Sequence, residues 1–422
     1  MTPTPLPFRQ VAAVVTANAI EFYDFVTYAF FAAQIGRTFF PSDTPGTSLL
    51  AALATFGAGF LTRPLGAFVI GRYADRAGRK PAMLLSFWLM GIAVIGLPLV
   101  PSYASIGLAA PLLVIGFRLL QGFALGGEVG PNTAFLMEAA PAKHRGLYVS
   151  MQATSADVAV MIAGLVGVVL AGWLTAGELD AWGWRVALLP GAVIVPFGLM
   201  LRRSLLETLH RAPEGAAAAP AIGAGPSFLR IGLVGILLIA TATTTNYLLS
   251  YMKTYAGSTL GMPEQLAFGA TVAVGAAGLV FDPLGGWLSD RFGRRRMILL
   301  PWLSLSVLVF PGFWLIEHYR SGPVLWTVCA VLASIHTAAG TTALVAITEW
   351  LPRRARAGGF GIIYASSIAV FGGSTQFLTA WLTRLTGNAM VPAWYMIGGI
   401  VVGLLALSQL PETAPVRTAP ER

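Results

Sequence analysis

The chain has 422 residues, of which 56% are hydrophobic and only 11% charged, with a formal net charge of +9 and a single cysteine. A soluble globule is usually about a quarter charged, so this composition excludes an ordinary soluble domain and leaves most of the surface facing lipid. Cys329 alone excludes an internal disulfide and a cysteine metal cluster, and the absence of a Gly-Lys-Ser/Thr phosphate loop excludes an ATP-driven pump on this polypeptide.

Met1 to Gln10 carries three prolines and no cleavable apolar run. A helix needs about 20 apolar residues to cross a bilayer, and the pattern predicts twelve spans: 10–38, 48–71, 82–100, 106–138, 146–174, 185–202, 229–256, 265–288, 297–316, 322–350, 357–385 and 392–410. Helices are expected because backbone amides in lipid must be satisfied within the segment. Segments of alternating polarity, the mark of a membrane barrel, are absent. The expected organisation is an all-α membrane protein: a six-helix bundle over 1–202, a polar linker over 203–228, a second bundle over 229–410 and a disordered tail over 411–422.

Two phrases repeat at about half the chain length. Gly71-Arg72-Tyr73-Ala74-Asp75-Arg76-Ala77-Gly78-Arg79-Lys80 returns as Gly286-Trp287-Leu288-Ser289-Asp290-Arg291-Phe292-Gly293-Arg294-Arg295, with Asp75 and Asp290 lying 215 residues apart. Glu138-Ala139-Ala140-Pro141 followed by Arg145 returns 211 residues later as Glu349-Trp350-Leu351-Pro352 followed by Arg356. A duplicated membrane protein places its ligand site between the halves. About 20 of the 27 Lys and Arg fall on the termini and one alternating set of loops, against roughly four on the opposite set: Arg37, Arg185, Arg320 and Arg384. This asymmetry predicts that both termini and the repeated loops are cytoplasmic, and it accounts for the positive charge without a nucleic-acid partner.

Twelve spans, two halves and the doubled G-x-x-x-D-R-x-G-R phrase resemble the major facilitator superfamily over nearly the whole chain. Asn18-Ala19-Ile20-Glu21-Phe22-Tyr23-Asp24-Phe25, Phe56-Gly57-Ala58-Gly59-Phe60 with Arg63-Pro64-Leu65-Gly66, and Gly116-Phe117-Arg118-Leu119-Leu120-Gln121-Gly122-Phe123 are similar to the first, second and fourth helices of its metabolite:proton symporter family. Thr243-Thr244-Thr245-Asn246-Tyr247 and Phe371-Gly372-Gly373 resemble the citrate and tricarballylate symporters within it. The resemblance implies two pseudo-symmetric bundles, alternating access, and a central site made mainly by spans 1, 4, 7 and 10. It implies a bacterial inner-membrane protein working as a monomer, with a small organic anion, protons and the lipid bilayer as partners. The family also carries dicarboxylates, aromatic acids and betaine-type osmolytes. An osmolyte carrier would want an aromatic cage. A proton-exchanging drug exporter would want an apolar pocket, and a non-transporting receptor would show no counterflow. No cofactor is expected, and no nucleophile triad suggests an enzyme.

Ionisable groups in mid-membrane cost several kcal/mol unless paired or watered, so each is a candidate. In the first span, Asn18, Glu21, Asp24 and Tyr28 share a face. Glu21 and Asp24 repel there, which favours a proton on one of them; the alternative is that one acid only neutralises an arginine. In the fourth span, Arg118 could hold a substrate carboxylate in two parallel hydrogen bonds or form a fixed ion pair; superfamily resemblance links it to proton coupling. Gln121 and Glu128 lie on one face, the first a substrate candidate and the second a proton candidate. Asp157 in the fifth span, near Gln152, reads equally as a proton site and as a partner of Arg118. In the seventh span, Thr244, Tyr247 and Tyr251 form a stripe suited to a multi-oxygen anion, although threonine also bonds its own helix carbonyls. Lys253 at that helix's outer end snorkels or serves the substrate. His336 in the tenth span is a hydrogen-bond donor, a proton carrier or a packed histidine, and Tyr364 in the eleventh is a pocket candidate; Phe371-Gly372-Gly373 reads as a hinge or close helix contact. The repeated loops read as a state switch rather than a substrate site: Asp75, Arg76, Arg79, Glu138, Arg145, Asp290, Arg291, Arg294, Glu349 and Arg356, joined by Arg63 and Asp282.

Overall fold

The computed structural model describes residues 8–44, 46–77, 79–126, 133, 136–137, 140–196, 226–352 and 356–415, and no strand occurs among them. The helices are α1 (Phe8–Phe30), α2 (Ala32–Phe39), α3 (Thr47–Leu61), α4 (Arg63–Ala77), α5 (Arg79–Leu99), α6 (Ala109–Leu125), α7 (Arg145–Trp173), α8 (Trp184–Leu188), α9 (Pro226–Thr254), α10 (Glu264–Phe292), α11 (Arg294–Tyr319), α12 (Gly322–Trp350), α13 (Arg356–Ser367), α14 (Gly373–Thr386) and α15 (Val391–Leu407), with short turns between some of them. Among the described residues, seven stretches are long and apolar enough to cross a membrane by themselves, and Leu84–Leu99, Ala109–Leu125 and Val391–Leu407 are shorter apolar helices.

Every expected span carries a helix, and the departures have local causes. The second span is divided at Thr62; α4 begins Arg63-Pro64, where a missing N–H costs nothing in a first helical turn. The eleventh passes through a π-helical turn over Ile368–Gly372, at the segment read as a hinge. Residues 127–132 of the fourth span and 197–202 of the sixth lie outside the described residues. So does most of the expected linker, whose last residues already begin α9 at Pro226.

Burial sorts the helices into centre and rim. In the most apolar windows of Leu229–Thr259 and Gly322–Trp350, 67% and 72% of residues are buried, against 33% for Arg294–Tyr319. Thus α9 and α12 are central, whereas α11 shows most of its face to lipid. The part before the linker meets the part after it along two seams, α7 against α10 and α3 against α14.

Close helix approach rests on glycine. A Cβ on Gly122 of α6 would lie 1.6 Å from the Gly59 carbonyl oxygen of α3, and one on Gly57 would lie 2.3 Å from the Gly373 oxygen of α14. Gly122→Ala should therefore push α6 off α3 at a cost of about 1–3 kcal/mol. Thermal unfolding in detergent checks this, with Gly116→Ala as control, since a Cβ at Gly116 on the same helix meets nothing within 4 Å. At the end of α10, Gly293 has φ +98°, a left-handed value that suits glycine and lets α10 hand over to α11 in one residue.

The tail departs from the expected disorder. Glu412 Oε1 accepts the Arg294 backbone N–H at 2.8 Å and Oε2 that of Arg295 at 3.2 Å, so the carboxylate caps α11. Leu410 and Ala414 are buried. Residues 416–422 lie outside the described residues.

Candidate functional site

A cavity of about 130 Å³ lies between the two halves. Its polar wall comes from Asn18 of α1, Gln152 and Asp157 of α7, Thr243, Asn246 and Tyr247 of α9, Asp282 of α10, His336, Thr337 and Thr341 of α12, and Tyr364 of α13, together with Thr133. The wall is braced from behind. Asn18 Nδ2 donates to the Gln152 carbonyl at 3.0 Å and to Ser155 Oγ at 2.8 Å, pinning α1 to α7. Thr133 Oγ1 donates to Gln152 Oε1 at 2.8 Å. His336 is 4% exposed, and its Nδ1 has no hydrogen-bond partner among the described residues.

A second polar group lies behind this wall, within the first half. Arg118 is 1% exposed and sits in an aromatic box, its guanidinium 4.3 Å from the Tyr28 ring centre, 4.9 Å from Phe25 and 5.2 Å from Phe56. Its Nη1 donates to Gln121 Oε1 at 2.5 Å, and Gln121 Nε2 donates to Asp24. The amide relays the arginine to the acid. The remaining Nε and Nη2 of Arg118 have no hydrogen-bond partner among the described residues, and neither does Nε of Arg63. Arg63 stands over Phe60 at 4.4 Å and Phe25 at 4.9 Å. Tyr247 joins the two regions: it lines the cavity and packs edge-on against Phe56 and Phe60 at 6.1 and 5.3 Å.

Of the substrate candidates, Asn18, Tyr247, His336 and Tyr364 meet at the cavity. Tyr28, Arg118 and Gln121 belong to the aromatic box instead. Thr244 points to α15, where a Cβ on Gly399 would lie 3.5 Å from its Cγ2, and Tyr251 is fully buried elsewhere on α9. Of the acids, Asp157 lines the cavity, Asp24 is held by Gln121, Glu21 is buried on α1, and Glu128 lies outside the described residues. Span 5, with Gln152 and Asp157, thus builds the wall more than span 4, which gives it Thr133 but no residue of α6. Thr133 and Thr341 were passed over in the sequence because isolated hydroxyls in an apolar helix carry no pattern; Asp282 was assigned to the latch and instead lines the cavity, and Arg63, assigned there too, stands in the aromatic cluster. Lys253 does not snorkel. Its side chain is 2% exposed and pairs with Glu264 at 2.9 Å, while its ammonium stands 4.5 Å from the Phe268 ring centre.

At the end carrying the repeated loops, the second copy of each phrase forms one network. Asp290 Oδ1 accepts the Gly146 N–H at 2.8 Å and Oδ2 the Leu147 N–H at 3.1 Å. A carboxylate of the second half thereby caps α7 of the first. Arg294 bonds Asp290 at 2.7 Å, Glu349 at 3.1 and 3.2 Å, and Ser289 Oγ at 2.6 Å. Glu349 also faces Arg145 of the first half at 3.9 Å and accepts Thr413 Oγ1 at 2.9 Å. Arg356 is buried and donates Nε to the Thr348 carbonyl at 2.8 Å. Arg291 and Arg76 are exposed, Arg291 lying 5.9 Å from the Trp287 ring centre. The side chains of Asp75 and Arg79, and the whole of Glu138, lie outside the described residues.

Comparison with known proteins places this geometry. The sugar (and other) transporter family model matches residues 10–210 and 217–418, nearly the whole chain in two pieces. The citrate-proton symporter of Salmonella typhi is 35% identical over 96% of this chain and 94% of its own length. That of Klebsiella pneumoniae is 34% identical over 95% and 91%. Among solved structures, the xylose transporter XylE from E. coli, in a partially occluded inward-open conformation, superposes with a TM-score of 0.77 at 16% identity, covering 96% of this chain and 97% of that one. The last likeness is one of fold.

Proposed function

We propose that this chain, which belongs to the sugar (and other) transporter family within the major facilitator superfamily, is a symporter that imports a small organic carboxylate, citrate or a related tricarboxylate, together with protons. The multi-pass protein would lie in a bacterial inner membrane with its repeated loops and both termini in the cytoplasm. The observation that carries the reading is Arg118. A buried guanidinium whose Nε and Nη2 lack partners among the described residues is costly, and a carboxylate is the group whose two oxygens match such a fork. The similar citrate-proton symporters add weight.

In this reading the substrate enters the cavity between the halves, meets Asn246, His336 and the hydroxyls of Thr243, Thr337 and Thr341, and displaces the Tyr247 ring to reach Arg118. Its arrival competes with Gln121 for the guanidinium and so disturbs the contact of Gln121 with Asp24, which ties anion binding to an acid. Glu21, Asp24, Glu128 and Asp157 are the groups from which the coupled proton is drawn. Asp290, Arg294, Glu349 and Arg145 hold the basic end closed while the site faces outward. A quaternary ammonium osmolyte is disfavoured, because the cage of Phe25, Tyr28 and Phe56 that it would need is already filled by Arg118.

Uptake of labelled citrate into proteoliposomes tests this, with and without an inward acid gradient and with unlabelled tricarballylate, succinate and betaine as competitors. Gradient-driven uptake blocked by tricarballylate is expected. Counterflow of betaine with no citrate uptake would overturn the carboxylate reading.

A further inference from the structure

Asp157 and Asp282 stand on opposite halves yet line one cavity and interact across it. Asp157 projects from α7 and its carboxyl lies against α10: a Cβ on Gly278 would fall 1.7 Å from its Oδ2. One turn further along α10, Asp282 is 1% exposed. Its Oδ1 accepts the Thr341 hydroxyl at 2.8 Å, but its Oδ2 has no N–H or O–H donor among the described residues. The Asp157 carboxyl lines the same cavity and interacts with Asp282 there. A carboxylate oxygen only accepts, so one carboxyl serves the other only by carrying a proton. Two ionised carboxylates in contact at a buried site would repel strongly.

We propose that Asp157 and Asp282 hold a single proton between them across the seam of the two halves, so that the seam is closed by an O–H···O bond and opens by repulsion when that proton leaves. No covalent bond changes; one proton is bound or released, to water in the cavity. Asp24 differs in kind, because its partner Gln121 belongs to its own half and protonation there leaves the seam untouched. The other titratable groups lining this cavity are His336 on α12, Tyr247 on α9 and Tyr364 on α13. On α1, which packs on α7, Asp24 is engaged by Gln121 and Glu21 does not line the cavity. The charged residues at the start of α11, which packs on α10, are gathered at the basic end around Glu349 and Glu412. The inference rests on the proton-coupled reading only for its place in the transport cycle; the shared proton itself does not depend on it.

Infrared spectra of the full-length protein in lipid, followed through a pH titration, read the proton directly as the carbonyl stretch of a protonated carboxylic acid. Asp157→Asn and Asp282→Asn should each abolish the same component, and the double variant should abolish no more. In proteoliposomes each single variant should lose acid-driven accumulation by about tenfold or more, since the asparagine amide donates to the remaining acid whether or not a proton is bound and the seam no longer answers to pH. Different components lost by the two variants, or none lost by either, would overturn the shared proton. Sodium removing the component from the unaltered protein at fixed pH would also overturn it, assigning the two carboxylates and Thr341 to a cation. Thr341→Val keeps both acids and guards against misfolding: it should shift the component in frequency and leave it present, and its disappearance there would count against the pair. Absence of carboxylate uptake by the unaltered protein would sink the functional reading and leave the infrared result standing.

Discussion

Arg118→Lys should cut carboxylate uptake by a factor of roughly 30 to 5,000, the equivalent of losing about 2–5 kcal/mol from a buried, hydrogen-bonded charge pair. The substitution keeps a positive charge inside the box of Phe25, Tyr28 and Phe56, so the first half keeps its cation. What it removes is the planar fork. An ammonium is a point donor and cannot offer a carboxylate two parallel bonds. The loss should appear mainly as a raised KM in labelled-citrate uptake, with elution on size exclusion and helical circular dichroism unchanged. An unaltered KM in Arg118→Lys would remove the guanidinium from the substrate site and leave it as internal packing.

Glu349→Gln should shift the protein toward the state open at the basic end. Arg294 is fully buried, and Glu349 supplies two of its acceptor contacts while also facing Arg145 across the seam. Removing one partner of a buried pair costs about 3–5 kcal/mol. Asp290 still holds Arg294 at 2.7 Å, so the lower end applies, and about 3 kcal/mol is a factor of roughly 150 in a two-state population. Distance measurements between spin labels on Arg76 and Arg291, both exposed, would read the change. The lone native cysteine, Cys329, is buried and will compete little for label. An unchanged distance distribution would show that the network packs the basic end without governing it.

The helices were legible because apolar length is a one-dimensional property, and the polar network at the basic end because its phrase is repeated. The second copies of both phrases do converge: Asp290 and Arg294 from one, Glu349 from the other. The site was legible only in part. Period and polarity identify a residue's helical face but not what that face meets, and this separates Tyr247, on the cavity, from Thr244, which packs on α15 three residues earlier. Arg118 was read as a holder of a substrate carboxylate or as one member of an ion pair; the ring of aromatics around it was not legible, because it comes from two helices whose mutual rotation no spacing encodes. Asp282 was read with the loop that follows it, although it lies two turns inward of Asp290. Lys253 looked free to reach water because its partner, Glu264, belongs to the next helix. The tail looked unstructured by composition, yet Glu412 finds the uncapped start of α11, a contact between residues 118 apart in sequence.

The meeting of Gly57 and Gly373 would give any rocking of the two halves a bearing. Where side chains interdigitate, two helices can turn past one another only by lifting each knob from its hole. Here α3 and α14 touch backbone to backbone, and at the other seam Gly146 faces Gly286 in the same way, a Cβ on either lying within 2.5 Å of the other's carbonyl oxygen. Smooth bearings of this kind carry load without setting teeth. They let the angle between the halves be decided by the groups at the two ends and in the cavity, and they turn any side chain introduced at these glycines into a wedge that holds the carrier at one angle.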